Sequence, residues 1–309
     1  MENILNVKNV TKSFGDYKAS NDISFNVEKG KIFGLLGPNG AGKTTMIRML
    51  TNIYVPDSGS ITLFGNPVGP DQQNNIGYLP EERGLYKKMK VLDQLVYFGQ
   101  LKGMSKKTAL DSARLWLVKL DAADYANKKV QDLSKGMSQK VQFVASLLHN
   151  PKFLILDEPF SGFDPINADL FKDIVIELRK NGATIILSTH IMHQVEQLCD
   201  DICLINKGKL LLSGNVREIK KSYGKNTINI NFEGSKDFLN NLSNIEVINS
   251  TDSSAEFKLL DLNQSPNSIL SEIMKFVQIY KFEIDEPSLN EIFIDVVTKA
   301  NGEQNEIKF

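Results

Sequence analysis

The spacing of hydrophobic positions divides this chain into segments of different kinds. Up to about residue 218, short apolar runs alternate with segments in which apolar residues recur every third or fourth position. Short apolar runs are typical of buried strands, and the second pattern is typical of amphipathic helices. Their alternation predicts an α/β domain with a largely parallel sheet. Strands are predicted at residues 31–36, 61–64, 76–79, 153–156, 184–188, 202–205 and 210–213, and helices at 43–52, after Pro165 and from about residue 191.

Helical spacing interrupts this domain between about residues 91 and 150. Leu92 and Leu95 fall on one face of a first helix, and Ala113 and Leu117 fall on one face of a second. We therefore predict a helical insert of these residues inside the α/β domain.

A different, smaller domain is predicted at the C-terminal end. The polar run 220–226 is interpreted as a linker, so the boundaries are 1–219 and 220–309. Beyond it the order β-α-β-β-α-β predicts a small α+β domain of ferredoxin-like fold, with helices at 236–242 and 266–277. A capping box of Ser288 and Glu291 predicts the start of a last helix.

Composition narrows the classes of function. The net charge of -1 argues against nonspecific attraction to nucleic acid, so no nucleic-acid partner is expected. Cys199 and Cys203 are too few for a disulfide framework and indicate a reducing compartment. No apolar run approaches the roughly 20 residues that cross a bilayer, so the chain is not expected to span a membrane by itself.

A phosphate-binding motif follows the strand predicted at residues 31–36. Gly37, Gly42, Lys43 and Thr44 satisfy the pattern G-x-x-x-x-G-K-[ST] between a strand and a helix, which is the context that a P-loop requires. Glycines allow the loop to wrap closely around phosphate, Lys43 neutralises charge, and the Thr44 hydroxyl ligates Mg²⁺. The motif predicts binding of ATP with Mg²⁺ by the run Gly37, Pro38, Asn39, Gly40, Ala41, Gly42, Lys43, Thr44 and Thr45.

Two carboxylates end the apolar run at residues 153–156. Ligands bind at the carboxyl ends of strands in such sheets, which places Asp157 to hold the Mg²⁺ shell and Glu158 to act as general base toward water. The alternative is a strand that simply ends in acidic turn residues, and the P-loop upstream favours the catalytic interpretation.

The motifs together resemble those of a known family. The order of GPNGAGKTT (37–45), LSKGMSQ (133–139), FLILDEP (153–159), SGFD (161–164) and STH (188–190) is similar to that of the ATP-binding subunits of ABC transporters. The resemblance covers residues 4–218. It implies a P-loop NTPase domain of the ABC type that binds and hydrolyses ATP.

The resemblance also implies roles for single residues. Phe14 stands where the family places an aromatic on adenine, with Tyr17 as the competing candidate, and His190 stands where the family has a histidine that contacts the γ-phosphate. Asp164 matches the segment that links the two sites of a dimer. Glu81 occupies the place of the family's usual glutamine near the metal, so it becomes a candidate ligand of Mg²⁺.

The segment 133–139 corresponds to the signature that contacts nucleotide on the opposite subunit. Ser134 and Gly136 agree with the family pattern and are implied to donate hydrogen bonds to the γ-phosphate. Lys135 and Met137 replace the commoner Gly and Gln, and Lys135 is itself able to pair with phosphate.

The resemblance implies partners as well. A signature that acts on the other subunit requires a homodimer or heterodimer of such domains, and transport requires a separate polytopic membrane subunit. The expected location is cytoplasmic, on the inner face of the cell membrane. LPEERGLY (79–86) and EPSLNEIF (286–293) look most like exporters of the sodium-extruding and drug-efflux type. The alternative is a soluble ABC ATPase that acts on ribosomes or DNA.

Overall fold

The chain folds into two compact units. The computed structural model describes residues 2–82, 84–223, 227–261, 264–285 and 287–306. The first unit is Met1–Asn215 and the second is Val216–Phe309. Each unit has its own hydrophobic core.

Two sheets form the framework of the first unit. In the described part of this unit the strands are β1 Asn3–Phe14, β2 Tyr17–Glu28, β3 Ile32–Leu36, β4 Ser58–Leu63, β5 Asn66–Pro67, β6 Ile76–Leu79, β7 Phe153–Asp157, β8 Thr184–Thr189, β9 Asp201–Asn206 and β10 Lys209–Asn215. The central sheet has the order β10-β9-β3-β8-β7-β6. Its strands are parallel except β10, which runs antiparallel to β9 at the edge. The predicted α/β domain with a largely parallel sheet is confirmed.

The second sheet of this unit was not predicted. It is antiparallel, in the order β2-β1-β4-β5, and its main part is the long hairpin of β1 and β2. Each strand of the hairpin has one face in the core and polar side chains on the other, for example buried Val7 beside exposed Lys8. Such half-exposed strands lack the continuous apolar run by which the buried strands of the central sheet are recognised.

Six α-helices are found among the described residues of the first unit. They are α1 Lys43–Leu50, α2 Val91–Leu101, α3 Lys106–Lys119, α4 Lys135–Leu147, α5 Pro165–Lys180 and α6 Met192–Leu198. The helices α2, α3 and α4 pack on one another and lie between β6 and β7 in the chain, where the helical insert was predicted.

A cluster of aromatic side chains joins α4 and α5. Phe171 of α5 is fully buried, and the centroid of its ring lies 4.0 Å from that of Phe143 on α4. Phe160 and Phe163, on the segment that follows β7, lie 5.2 and 5.5 Å from Phe171. The cluster therefore fixes both helices against the segment that leaves the central sheet.

The second unit has a four-stranded antiparallel sheet. Its elements are α7 Val216–Ser222, β11 Thr227–Glu233, β12 Ile245–Ser250, β13 Ser254–Leu259, α8 Pro266–Ile273, β14 Gln278–Asp285 and α9 Leu289–Glu306. The strand order is β12-β13-β11-β14. The chain order is that of the predicted ferredoxin-like domain, with a 3₁₀ segment, Lys236–Asn241, in the place of its first helix. Strand β12 lies at an edge of this sheet, and Val247 and Ile248 on it are exposed.

Several predicted boundaries in this part of the chain need correction. The predicted linker 220–226 begins inside α7, and residues 224–226 lie outside the described residues. Helix α8 ends at Ile273 rather than at residue 277, because the chain turns there toward β14. The predicted capping box is confirmed, since the Ser288 N–H donates to Glu291 Oε2 over 2.7 Å and the Glu291 N–H donates to Ser288 Oγ over 3.2 Å.

The aromatic cluster yields a prediction about stability. Phe171→Ala should lower the free energy of unfolding by about 3–5 kcal/mol, because it removes a buried ring and leaves a cavity. Ile166→Ala, on the same helix but 83% exposed, should change it by less than about 0.5 kcal/mol. Urea titration of both variants measures the difference, and equal losses would contradict the packing described for α5.

Candidate functional site

The loop between β3 and α1 forms a narrow phosphate cradle. It contains Gly37, Pro38, Asn39, Gly40, Ala41 and Gly42, and α1 begins directly after it with Lys43, Thr44 and Thr45. The strand before it is entirely buried. The backbone N–H groups at the start of α1 and the positive end of its dipole are suited to an anion.

Two glycines of the loop are required by the backbone around them. A Cβ atom on Gly37 would lie 2.1 Å from the carbonyl oxygen of Ile205, and one on Gly42 would lie 2.2 Å from that of Ala19. Gly42 also has a φ of 110°, which residues with side chains rarely adopt. Any side chain at either position would displace the loop.

Lys43 points back into the loop that precedes it. Its Nζ donates to the carbonyl oxygens of Gly37 over 2.7 Å and of Pro38 over 3.2 Å. Burial lowers the pKa of Lys43, while the charges of Glu158, Asp157 and Glu81 act in the opposite direction. The structure thus brings Lys43 and all three predicted carboxylates into one electrostatic environment.

Asp157 ends β7 with a buried carboxylate. Burial raises the pKa of Asp157 to about 6, and the charges of Glu81 and Glu158 act in the same direction. Its Oδ2 is buried without a hydrogen-bond partner. An unpaired carboxylate oxygen is the kind of donor that a hard divalent cation such as Mg²⁺ takes up.

Glu158 has an unusual backbone conformation and is hydrogen-bonded to residues at the end of β8 and just after it. Its φ is 46°, in the left-handed region, and its N–H donates to the Ser188 carbonyl over 2.9 Å. Its Oε1 lies 2.8 Å from Nδ1 of His190, and Thr189 Oγ1 donates to its Oε2 over 3.4 Å. Left-handed non-glycine residues concentrate at functional sites, so the conformation is consistent with the predicted role of Glu158.

The segment 133–139 begins α4. Ser134 is exposed and caps the helix, accepting a hydrogen bond at Oγ from the Met137 N–H over 3.2 Å. The stem of Lys135 lies against Gly162, and its Nζ is 3.5 Å from Oγ of Ser161. Gly136 faces the same segment, since a Cβ there would lie 3.3 Å from the Gly162 carbonyl oxygen. The signature and the SGFD segment therefore touch within one chain.

Asp164 ends the SGFD segment as the cap of α5. Its carboxylate accepts from the Asn167 N–H over 2.9 Å and from the Asn167 side-chain amide over 2.6 Å. These bonds lower the pKa of Asp164, because they stabilise its charged form.

Two exposed aromatics lie at the turn of the β1–β2 hairpin. Phe14 and Tyr17 pair across the turn. The Phe14 ring packs edge-to-face on Tyr54, with a centroid distance of 5.4 Å. The Tyr17 hydroxyl donates to the Gly40 carbonyl in the phosphate loop over 3.0 Å. Both candidates for the adenine contact therefore remain available, and Tyr17 has a direct contact with the loop.

Two further residues contact the site in a way that the sequence does not predict, although Gln139 is the last residue of the LSKGMSQ segment. Gln139 and Gln142 are buried on α4 and donate to the segments that carry Glu158 and Glu81. The only local signal is an amide side chain within the apolar run of a helix, and that pattern does not indicate its partner.

Among the described residues, no three side chains of His, Cys, Asp or Glu gather into a metal centre. Mg²⁺ commonly takes only one or two protein carboxylates and completes its shell with water and substrate phosphates. The sequence predicts Thr44 and Asp157 as such a partial set of ligands.

Comparison with known proteins identifies the family. Residues 20–161 match the family model described as ABC transporter, and residues 214–297 match the C-terminal domain of ATP-binding proteins like DrrA1-3. The chain is also 46% identical over 298 residues to YhaQ, an uncharacterised ABC transporter ATP-binding protein of Bacillus subtilis, covering 95% of this chain and 98% of YhaQ. The chain belongs to the ABC transporter ATP-binding proteins.

Other members of this family extend the comparison. The linearmycin resistance ATP-binding protein LnrL of Bacillus subtilis is 30% identical over 309 residues, which covers 96% of this chain and 99% of LnrL. A solved structure of an ATP-binding subunit of an ABC transporter superposes with a TM-score of 0.67 at 29% identity, over 71% of this chain and 93% of the other.

Family membership establishes the chemistry of the first unit. ABC ATP-binding domains bind ATP and hydrolyse it to power transport, so this protein is an ATPase. Such subunits dimerise and work with a separate membrane subunit. Within the described part of this chain, no helix is long and apolar enough to cross a membrane.

The buried carboxylate of Asp157 predicts a pH-dependent stability. Between its ordinary pKa of 3.8 and a pKa of about 6, the folded chain binds a proton that the unfolded chain has released, so stability falls as the pH rises through this window. In the absence of metal and nucleotide, Asp157→Asn should raise the free energy of unfolding by about 2–3 kcal/mol near pH 7.5 and change it little near pH 4.

Urea titrations at both pH values measure this effect, and Asp169→Asn at an exposed position is the control. The same gain for Asp157→Asn at both pH values would contradict a raised pKa.

Proposed function

We propose that this protein drives export through a separate membrane subunit, by closing as a dimer around two ATP molecules. The observation that carries the proposal is the joint presence of a P-loop and an exposed signature segment on the same chain. Ser134 lies at the exposed N-terminus of α4, where hydrogen-bond donors can face a phosphate on another subunit. The site of one chain is then completed by Ser134 and Gly136 of the other.

Within one site the residues have separate roles in binding the nucleotide and in hydrolysis. The loop 37–45 holds the phosphates, with Lys43 leaving its carbonyl partners to neutralise charge. Glu158 takes the proton of the attacking water. His190 is hydrogen-bonded to Glu158 over 2.8 Å and orients the attacking water toward the γ-phosphate. Phe14 or Tyr17 stacks on the adenine, a contact worth about 1–3 kcal/mol.

Mg²⁺ fits the residues of this site. Thr44 and Asp157 would hold it directly, and the bound ion would neutralise charge that develops on the phosphates. The exposed carboxylate of Glu81 acts electrostatically on Asp157 and Lys43, which supports a role close to the metal.

Asp164 links the two sites in this proposal. The SGFD segment, which ends at Asp164, contacts Lys135 of the signature within the same chain. A movement of the SGFD segment would therefore displace the signature.

The partner in the membrane contacts the surface that follows Glu81. Tyr86, Tyr97 and Phe98 form an aromatic group there, with ring centroids 5.9 to 6.2 Å apart. Tyr86 and Tyr97 are 52% and 41% exposed. Exposed aromatic groups of this kind are typical of protein interfaces. Contact with a membrane subunit would place this protein on the inner face of the cell membrane.

Two segments of the sequence and the name of one relative favour export over import. LPEERGLY and EPSLNEIF resemble segments of exporters. LnrL, which matches nearly the whole chain, is named for resistance to linearmycin.

Glu158→Gln tests the catalytic assignment. The variant should bind ATP but hydrolyse it about 100-fold or more slowly, because a neutral amide cannot accept the proton of water. ATP should then trap it as a dimer, measured by size-exclusion chromatography beside the rate of phosphate release.

Lys43→Ala is the matched control, since it should lose ATP affinity and form no trapped dimer. Undiminished turnover by Glu158→Gln would remove Glu158 as the base.

Purification from native membranes tests the partner. The wild-type protein should bring down a polytopic membrane protein, and Tyr86→Ala should weaken this association while the isolated ATPase rate stays within about twofold, because Tyr86 lies on the exposed surface. Ribosomes in place of a membrane protein would refute the transport proposal.

A further inference from the structure

Two buried glutamines of α4 bind the segments that carry the acidic side chains of the site. Gln142 is 4% exposed, and its Nε2 donates to the carbonyl oxygens of Pro80 over 3.2 Å and of Glu82 over 3.1 Å. These two carbonyls flank Glu81. Gln142 therefore holds the backbone on both sides of that residue.

The chemistry of this contact fixes the orientation of the amide. Both partners of Gln142 are carbonyl oxygens, so only its NH₂ group can bind them. Its Oε1 is buried and has no hydrogen-bond partner. A buried acceptor without a partner is unfavourable for folding, and such groups persist where the position of the chain matters.

Gln139 makes the corresponding contact with the other segment. It is 2% exposed, and its Nε2 donates to the Pro159 carbonyl, one residue after Glu158, over 3.2 Å. Residues three apart lie on the same face of a helix, so one rigid face of α4 holds both segments. The same helix begins at Ser134, which caps its first turn.

We propose that Gln142 is a positioning residue for Glu81 and sets how strongly this carboxylate supports Mg²⁺ at the site. The inference rests on the proposed role of Glu81 near the metal. Glu81 itself is exposed, so its own side-chain packing does not fix its position. The backbone around it is fixed by Gln142 instead, and through α4 its position is tied to the signature.

The test has two readouts at a fixed nucleotide concentration: the Mg²⁺ concentration for half-maximal hydrolysis of ATP, and the Mg²⁺ concentration for half-maximal binding of a fluorescent, non-hydrolysable ATP analogue, which is measured without turnover. Gln142→Met keeps the length of the side chain and removes both donors. It should raise both Mg²⁺ concentrations about 10-fold, the size of effect seen when the support of a metal ligand is removed. Gln142→Ala should shift both Mg²⁺ concentrations in the same direction, and it replaces Gln142→Met in the test if the methionine variant does not fold.

Gln139→Met is the matched control on the same buried face. It acts on the segment of Glu158 and should lower kcat about 10-fold, because the base is misplaced, while the Mg²⁺ half-maximum stays within about twofold. If it shifts the Mg²⁺ half-maximum as much as Gln142→Met does, the effect belongs to helix packing and the proposal is refuted.

Glu81→Gln distinguishes the role of Glu81 near the metal from the positioning role of Gln142. It should raise the Mg²⁺ half-maximum, and adding Gln142→Met to it should produce no further shift, because both act through one carboxylate. A full additional shift would overturn the positioning role alone. No shift from Glu81→Gln would overturn the metal role of Glu81, and the inference with it.

Discussion

The phosphate loop is confined between the backbones of two sheets. Gly37 lies against the carbonyl of Ile205 in the central sheet, and Gly42 lies against the carbonyl of Ala19 in the antiparallel sheet. The Gly208 N–H, at the turn after β9, donates to the carbonyl of Ala41 over 2.9 Å. The loop is thus positioned by main-chain contacts, which vary little with side-chain motion. Every other group of the site is placed relative to this fixed cradle.

Helix α4 serves the site and the core at once. Its exposed first turn carries Ser134, while Phe143 on its buried side packs on α5. Gln139 and Gln142 are buried on this helix, and their amides donate to the segments that carry Glu158 and Glu81. A helix made only for packing would carry apolar side chains at these positions. The two amides are therefore best understood as connections between the signature and the acidic segments.

Much of the site was predictable because its motifs are local. The P-loop pattern and the carboxylates after β7 each lie within a few residues of sequence, where spacing predicts geometry. The β1–β2 hairpin was missed because its strands show a polar face to solvent. The contact of Gln142 was unpredictable for a different reason. It joins residues 62 positions apart in the chain, and a single sequence carries no signal for that pairing.

The exposed edge of the second unit has a consequence for the behaviour of the protein in concentrated solution. No strand of the described residues pairs with the outer side of β12, and Val247 and Ile248 on it are exposed. Such an edge is a template on which another extended segment can add as a further strand. Glu246 is the one charged side chain on β12, and repulsion between copies of this residue opposes stacking of identical strands. The balance between pairing and repulsion makes self-association of this unit sensitive to salt, which screens the repulsion between these charges.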